Sequence, residues 1–220
     1  MSSNKRNSIM PAASQAGPKA PVHFSSSITI HDSAILSGMY PITISSESVI
    51  HPRARLESEG GPVNIGRRCI VQERVLLGAG GNRAEGSVTL GDYVTVEAAA
   101  NIECGGTMIG EGTTVGVGCK IGSGAFIGKA SAQEPLERGG YTDRFEHRLR
   151  MLTHVDLQYC TLTPRSVIAP KERIPDGTVV YSNGMRRADK RGIADLRKEA
   201  QVRQIEALRR LIPSTPAKFQ

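Results

Sequence analysis

The chain lacks the large side chains that fill most globular cores. It contains no Trp, and aromatic residues make up only 4% of its 220 residues. It also lacks an apolar run near the roughly 20 residues needed to span a bilayer, and it lacks the apolar segment of a secretory signal. These absences argue against a membrane-spanning or secreted protein and against a core built on aromatic rings. A cytoplasmic protein with a thin aliphatic core is therefore expected.

Signals for metals and disulfides are equally sparse. The four cysteines form no CxxC pair, and Cys69, Cys119 and Cys160 each stand two residues before an aliphatic residue. Buried free thiols in a reducing compartment are the favoured interpretation. We therefore predict no bound metal and no cofactor.

The chain is rich in aliphatic residues at every sixth position, usually followed by glycine. A six-residue period fits neither an α-helix nor a hairpin sheet, but it is typical of the hexapeptide repeat of a parallel β-helix. Three hexads then form one triangular coil, and each aliphatic stacks on its counterpart about 18 residues away. The clearest run is Ile109-Gly110, Val115-Gly116, Ile121-Gly122 and Ile127-Gly128, and the same step recurs over 44–56, 65–77, 90–102 and 162–180.

A second register strengthens this prediction, because the residue two positions before each aliphatic is small. Residues i and i−2 of a strand face the same side, so both point into the narrow interior of the prism. Glu172, two residues before Ile174, breaks the rule and predicts that the last coil is frayed or covered. The small residues are Ala34, Ser48, Ala54, Cys69, Ala100, Thr113, Cys119, Ala125, Ser166 and Thr178.

Interruptions of the repeat predict where the loops lie. The breaks after Leu56, Leu77 and Ile102 each follow a completed set of three hexads, so their loops should stack at one corner. The insertion 129–159 follows a single hexad and should leave from a different corner. Turn glycines with positive φ are expected at Gly116, Gly118, Gly122 and Gly124.

After Val180 the repeat stops and the composition changes. Much of the formal net charge of +7 lies after Met185, and residues 188–212 are rich in helix formers. The interleaved Glu199 and Glu206 favour a solvated helix over contact with nucleic acid or a membrane. An apolar stripe predicts that the helix covers a flank of the prism or docks a partner. Its members are Ile193, Leu196, Ala200, Leu208 and Leu211, flanked by Ile205 and Ile212, and the candidate partner-facing residues are Leu196, Leu208 and Leu211.

These patterns together predict an all-β solenoid. The fold class is a single-stranded parallel β-helix of hexapeptide repeats with one long C-terminal α-helix, and its left-handed turn is inferred from resemblance to hexapeptide-repeat proteins. The predicted organisation is a disordered arm over 1–27, the β-helix over 28–184 with the insertion 129–159, the helix over 185–212, and a flexible tail over 213–220.

The fold alone does not decide the function, because hexapeptide-repeat proteins include acyltransferases and γ-class carbonic anhydrases. The anhydrase needs three histidines around zinc, and the acyltransferase needs a general base beside its acyl-carrier groove. No histidine lies between Ile65 and Gly128, where such sites would form. His51 is interpreted as structural, closing a corner, although His147 or His154 could reach a groove from the insertion. No catalytic residue is assigned, and these enzymes remain the alternative. The five histidines are His23, His31, His51, His147 and His154.

Several segments resemble the dynactin subunit 6 family. The likeness runs in matching order from Ile42 to the C-terminus, and the final hexads with the helix are its most discriminating part. The glycine-rich loop 78–87 and the insertion 129–159 depart from the family, so functions housed there do not carry over. The matching segments are Ser48-Val-Ile-His-Pro-Arg-Ala54, Gly61-Pro-Val-Asn-Ile-Gly66, Ile174–Tyr181, Met185-Arg-Arg187 and Ser214–Lys218.

This resemblance implies a non-catalytic subunit at the pointed end of dynactin, the cofactor of the dynein motor. The implied partners are dynactin subunit 5, a sibling β-helix, together with the pointed-end actin-related protein and dynactin subunit 4. A cytoplasmic, cytoskeleton-associated location and a role in cargo or adaptor binding follow from the same resemblance.

The residues after the helix carry a candidate regulatory site. Thr215-Pro216-Ala217-Lys218 has the arrangement favoured by proline-directed kinases, and the flanking prolines should keep the segment extended and accessible. Ser214-Thr215-Pro216 also resembles a docking motif for polo-like kinases once Thr215 is phosphorylated. Thr215 is therefore the candidate phosphorylation site.

Overall fold

A computed structural model describes residues 19–80, 85–128, 159–190 and 192–220. Short strands wind into a parallel β-helix of about six turns, and one C-terminal α-helix follows. Successive strands pass to the next of three sheets, and strands of one sheet pair in parallel with those of neighbouring coils. The hexapeptide-repeat β-helix predicted from the six-residue period is thus confirmed.

The strands of each sheet stack along the axis of the prism. Sheet A contains β1 (Val22–Phe24), β4 (Ile42–Ile44), β7 (Val63–Ile65), β10 (Val88–Leu90), β13 (Thr107–Ile109), β16 (Phe126–Ile127) and β19 (Arg173–Ile174). Sheet B contains β2 (Thr29–Ile30), β5 (Val49–Ile50), β8 (Ile70–Val71), β11 (Thr95–Val96), β14 (Thr114–Val115), β17 (Thr161–Leu162), β20 (Thr178–Val180) and β21 (Arg186–Ala188). Sheet C contains β3 (Ile35–Gly38), β6 (Arg55–Ser58), β9 (Leu76–Ala79), β12 (Asn101–Glu103), β15 (Lys120–Ile121) and β18 (Val167–Ile168).

The core is a column of aliphatic side chains with small residues beside them. Ile65 pairs in register with Ile44 above and Leu90 below, and all three are buried. Every predicted small residue is buried as well, including Cys69 and Ser48 at 0% exposure. The double register of aliphatic and small residues therefore describes the interior correctly, because the narrow prism leaves no space for a larger second side chain.

The corners of the prism require a left-handed backbone. Arg53, Arg74 and Arg165 occupy equivalent corners with φ of 59°, 57° and 61°. Gly118 has a φ of 65° at the same corner, as predicted for a turn glycine. Gly116 differs, because it is needed for close approach between coils: a Cβ there would lie 2.6 Å from the carbonyl oxygen of Leu162.

Gly124 and Gly122 differ in the same way as Gly118 and Gly116: one adopts a positive φ, and the other allows close approach between coils. Gly124 has a φ of 71°, whereas a Cβ on Gly122 would lie 2.6 Å from the nitrogen of Pro170. The prediction of positive φ is therefore right for Gly118 and Gly124 and wrong for Gly116 and Gly122, since contact between adjacent coils is not visible in the local sequence.

Loop placement follows the predicted rule. The connections from β6 to β7, from β9 to β10 and from β12 to β13 all join sheet C to sheet A, so they stack at one corner. The insertion joins β16 of sheet A to β17 of sheet B and leaves from a different corner. Its residues 129–158 lie outside the described residues, whereas Tyr159 at its end is buried.

Two predicted boundaries need correction. The β-helix begins at β1, before residue 28, because Val22–Phe24 pairs in register with Ile42–Ile44. The segment 185–212 is not one helix: β21 first pairs antiparallel with β20, and α1 then runs over Ala194–Leu211. Pairing with β20 satisfies the main-chain hydrogen bonds of Arg186–Ala188. The free energy of this pairing outweighs the helix propensity of these residues.

The tail after Pro213 is also different from the prediction of a flexible segment. The Thr215 amide donates to the carbonyl oxygen of Ile30 at 3.0 Å, and the Ile30 amide donates to Ser214 Oγ at 3.0 Å. A 3-10 turn over Pro216–Lys218 then places Phe219, 8% exposed, in the main hydrophobic core cluster. The tail folds because the open first coil offers it both an unpaired strand edge and apolar surface.

Candidate interaction surface

Helix α1 lies along the outer face of sheet B. Its Ile205, 3% exposed, packs against Val49 and Ile70, and Leu208 and Ile212 pack beside it half-buried. In most hexads the residue before the core aliphatic is polar, but β5 and β8 are the aliphatic pairs Val49-Ile50 and Ile70-Val71. These two strands therefore have an apolar outer face, which the helix covers.

Polar contacts fix the position of α1 along the coils. Near its start, Arg197 donates to Thr161 Oγ1 and to Asp189 Oδ2, both at 3.1 Å. The next residue, Lys198, pairs with Glu111 at 2.9 Å. Gln201 then donates through Nε2 to the carbonyl oxygen of Arg68 at 2.9 Å. The helix thus runs from the last coils towards the first.

A cluster of charged side chains surrounds Tyr93 at the corner beside α1. Arg68 donates to Glu47 Oε2 at 2.6 Å and to the Tyr93 hydroxyl at 2.5 Å. The hydrogen bond from Arg68 lowers the pKa of Glu47 below its ordinary value, and the same bond raises the pKa of Arg68. Arg67 makes a side-chain pair with Asp92, with Nη2 2.7 Å from Oδ2.

Two shallow grooves meet at Tyr93. The larger, about 520 Å³, lies between the corner and α1, and the smaller, about 160 Å³, lies over the Arg68 cluster. Lys198 stacks over Tyr93 with its Nζ 5.3 Å from the ring centroid. The larger groove is lined by Tyr93, Lys198, Glu199, Val202 and Arg203. Lys198 pairs with Glu111 and Arg68 pairs with Glu47, so the cations beside both grooves already have partners within the chain.

The predicted partner-facing leucines do not share one environment. Leu196 is 66% exposed and Leu211 is 76% exposed, whereas Leu208 is half-buried against sheet B. The buried face of α1 is centred on Ile205, which flanks the predicted stripe, so one side of the stripe covers the prism while Leu196 and Leu211 do not. A helical wheel shows which residues share a face, but it does not show which of two neighbouring apolar faces meets the coils.

The described histidines lie near the first coils. His51 donates its amide to the carbonyl oxygen of Val71 at 2.9 Å, and its own carbonyl accepts from Ala54 at 3.4 Å, so the main chain closes this corner. The buried Nε2 of His51 has no hydrogen-bond partner within the described residues. Burial lowers the pKa of His51. His147 and His154 lie outside the described residues.

The described residues also bear on metal binding and on membrane insertion. In the described part of the chain, no three or more His, Cys, Asp or Glu side chains are grouped to hold a metal ion. No helix in those ranges combines the length and hydrophobicity needed to cross a membrane.

All four cysteines are buried thiols. Burial raises the pKa of Cys69 to about 12 and also raises the pKa of Cys119 and Cys160. These thiols are therefore held in the neutral form at physiological pH, which agrees with their predicted role as small core residues.

The chain has matches among solved structures but none among protein families or curated proteins. Among solved structures 28 chains match, and one of them is provisionally described as an acetyltransferase from Bacillus cereus. It is 16% identical, with 89% of this chain and 97% of that chain covered and a TM-score of 0.43. An identity and a TM-score this low assign neither a family nor an activity.

Proposed function

We propose that this chain is a non-catalytic interaction subunit of the dynactin pointed-end complex, supporting dynein-based transport. The resemblance in sequence motivates the assignment. One structural observation supports the non-catalytic role: the groove between Tyr93 and α1 is lined by charged side chains, and Lys198 within it is paired with Glu111. Beside that groove, the outer side of α1 presents the exposed side chains of Leu196 and Leu211.

The proposed partner-facing surface is the outer side of α1. Leu196 and Leu211 are highly exposed, and both lie on the side of α1 away from the buried Ile205. The sibling β-helix dynactin subunit 5 is the proposed partner there, beside the pointed-end actin-related protein and dynactin subunit 4. Leu208 serves instead to hold α1 against sheet B.

Affinity purification from the native cells tests this proposal. The tagged chain should copurify with dynactin subunits 4 and 5, and the Leu196→Asp/Leu211→Asp double variant should lose subunit 5 while keeping its thermal stability. Ile35→Asp/Val117→Asp is the matched control, because both residues are exposed, at 38% and 44%, but lie away from α1. Absence of every dynactin subunit from the wild-type eluate would refute the assignment.

A hexapeptide-repeat acyltransferase or a γ-class carbonic anhydrase is the second candidate. The observation that favours an enzyme is His51, whose Nε2 lacks a hydrogen-bond partner in the described part of the chain and whose lowered pKa favours the neutral form a general base requires. Acetyl transfer from acetyl-coenzyme A that is abolished by His51→Ala would support the acyltransferase. Stoichiometric zinc with bicarbonate dehydration would support the anhydrase.

We also propose that Thr215 is phosphorylated and that a polo-like kinase then binds the phosphorylated tail. The Thr215 side chain is exposed, but its amide bonds to Ile30, so a kinase must first release the tail from the first coil. Phosphopeptide mapping from mitotic cells tests the proposal. An unmodified Thr215 in those cells, or unchanged partner recruitment by Thr215→Ala, would end it.

A further inference from the structure

The last coil of the prism ends in two strands that have a partner on one side only. β18 terminates sheet C and β19 terminates sheet A, and each pairs only with the coil above among the described residues. Residues 165–174 contain both strands and the corner that joins them, where the Ala169 amide and carbonyl are already bonded to Glu172. The edge formed by the two strands presents main-chain N–H and C=O groups that a peptide backbone can match.

Basic side chains surround this edge. Residues 159–190 contain six basic and three acidic residues, whereas the equally long segment 19–50 at the other end contains one basic and two acidic residues. The acids are engaged within the chain: Glu172 pairs with Arg186, Asp189 pairs with Arg197, and Asp176 has a partner as well. The last coil therefore has a local excess of positive charge that the first coil does not have.

The cations nearest the edge are displayed outwards. Arg165 and Lys171 are exposed and form no salt bridge within the described residues. Their aliphatic stems lie over glycines, with Arg165 Cγ 3.8 Å from the place of a Cβ on Gly118 and Lys171 Cγ 3.4 Å from that on Gly124. Stems seated in this way direct the charged heads into solvent. Arg173 stacks on the Phe126 ring at 5.4 Å.

Apolar side chains lie among these cations. Val167, in the middle of the edge, is 63% exposed, and Met185, in the turn before β21, is 60% exposed. A strand edge offers donors and acceptors in alternation, which another polypeptide backbone matches, whereas phosphate groups of nucleic acids and lipids offer acceptors only. The combination of strand edge, cations and apolar side chains matches a polypeptide.

We propose that the last coil binds an extended acidic segment of a partner protein, which adds as a strand along residues 165–174. Its backbone pairs with the free sides of β18 and β19, its carboxylates lie beside Arg165, Lys171 and Arg173, and an apolar side chain covers Val167. This surface is separate from the outer side of α1 and does not depend on the dynactin assignment.

The test uses the purified full chain and a fluorescent decapeptide of alternating Glu and Val. Anisotropy should report binding that weakens about tenfold in Arg165→Glu/Lys171→Glu. Arg53→Glu/Arg74→Glu is the matched control, since both arginines occupy the same left-handed corner and make the same change in charge away from the edge. The control variant should bind like wild type, and the amide NMR signals of Val167 and Arg173 should shift on binding.

Three results would overturn the proposal: no binding of the peptide, equal weakening in both double variants, or binding to phosphatidylserine vesicles without binding to the peptide. Circular dichroism and thermal denaturation of both variants establish that they fold. If Arg165→Glu/Lys171→Glu does not fold, Arg165→Gln/Lys171→Gln replaces it with the same expected direction. Because the experiment contains no dynactin subunit, its failure leaves the proposed function to the copurification experiment.

Discussion

The open edges at the two ends of the β-helix are covered by different segments of the chain. At the first coil, the edge of β2 is bonded by Ser214 and Thr215, and Phe219 enters the core cluster. At the last coil, β21 pairs with β20, while β18 and β19 remain terminal strands within the described residues.

The two ends differ in how far apart in the sequence the contacting residues are. β20 and β21 are joined by a short turn, in which Asn183 Oδ1 accepts from the Met185 amide at 3.1 Å. Ser214 and Ile30, in contrast, are 184 residues apart. Closure of the first coil therefore depends on α1, whose 18 residues reach about 27 Å at about 1.5 Å per residue. That length is close to the roughly 29 Å expected for the seven parallel strands of sheet B at about 4.8 Å spacing.

Removing the aromatic closure of the first coil should have the largest effect. Phe219→Ala is expected to lower the free energy of unfolding by about 3 kcal/mol, because it leaves a cavity at the end of the core. Urea denaturation followed by circular dichroism measures this. The control is Leu211→Ala, at the last residue of α1, which is 76% exposed. It should change the free energy of unfolding by less than about 0.5 kcal/mol. Equal losses in the two variants would contradict the role of Phe219.

Loosening the helix that carries the tail should have the next largest effect. Ile205→Ala is expected to cost about 2 kcal/mol, while Leu196→Ala should be nearly neutral. If α1 delivers the tail to the first coil, the Ile205→Ala/Phe219→Ala double variant should lose less than the sum of the single losses. Strict additivity would show that the tail docks without the helix.

The local closure of the last coil should be weaker and independent of the first. Glu172 pairs with Arg186 of β21 and accepts from the Ala169 amide at 2.7 Å. Glu172→Gln is expected to cost roughly 0.5 kcal/mol, because the pair is partly exposed to solvent. Its effect should couple to Arg186→Ala and not to Phe219→Ala, as measured by double-variant cycles. Coupling across the two ends would show that they do not close separately.

The smallest expected effect is a pH dependence near the first coil. Burial lowers the pKa of His51, with Glu73 opposing and His31 reinforcing the shift. The unfolded chain therefore takes up a proton at the ordinary histidine pKa of about 6.5 before the folded chain does, so stability falls as the pH drops below that value. His51→Gln should flatten the unfolding free energy between pH 7 and pH 5, whereas His23→Gln, at an exposed residue of β1, should leave the slope in place.

Part of the candidate surface was visible in the sequence and part was not. The adjacent aliphatics Val49-Ile50 and Ile70-Val71 mark an apolar outer face on sheet B, but sheet C contains similar pairs, so these pairs alone do not place α1. Nothing local marks Phe219 as a core residue, because it follows Pro213 and Pro216 in a polar tail. Leu196 was assigned to the covering stripe because it shares a wheel face with Leu211, yet the coils meet the neighbouring face.

The sequence by itself determined the coil, because the alternation of aliphatic and small residues at a six-residue step is imposed by packing between neighbouring repeats. It also determined which corner the loops leave, since a completed set of three hexads returns the chain to the same place. Only the tertiary structure decided how the ends are closed and which side of α1 is buried. Those contacts join residues far apart in the chain, and they depend on the helix matching the height of the stacked coils, a property of the assembled prism and of no single repeat.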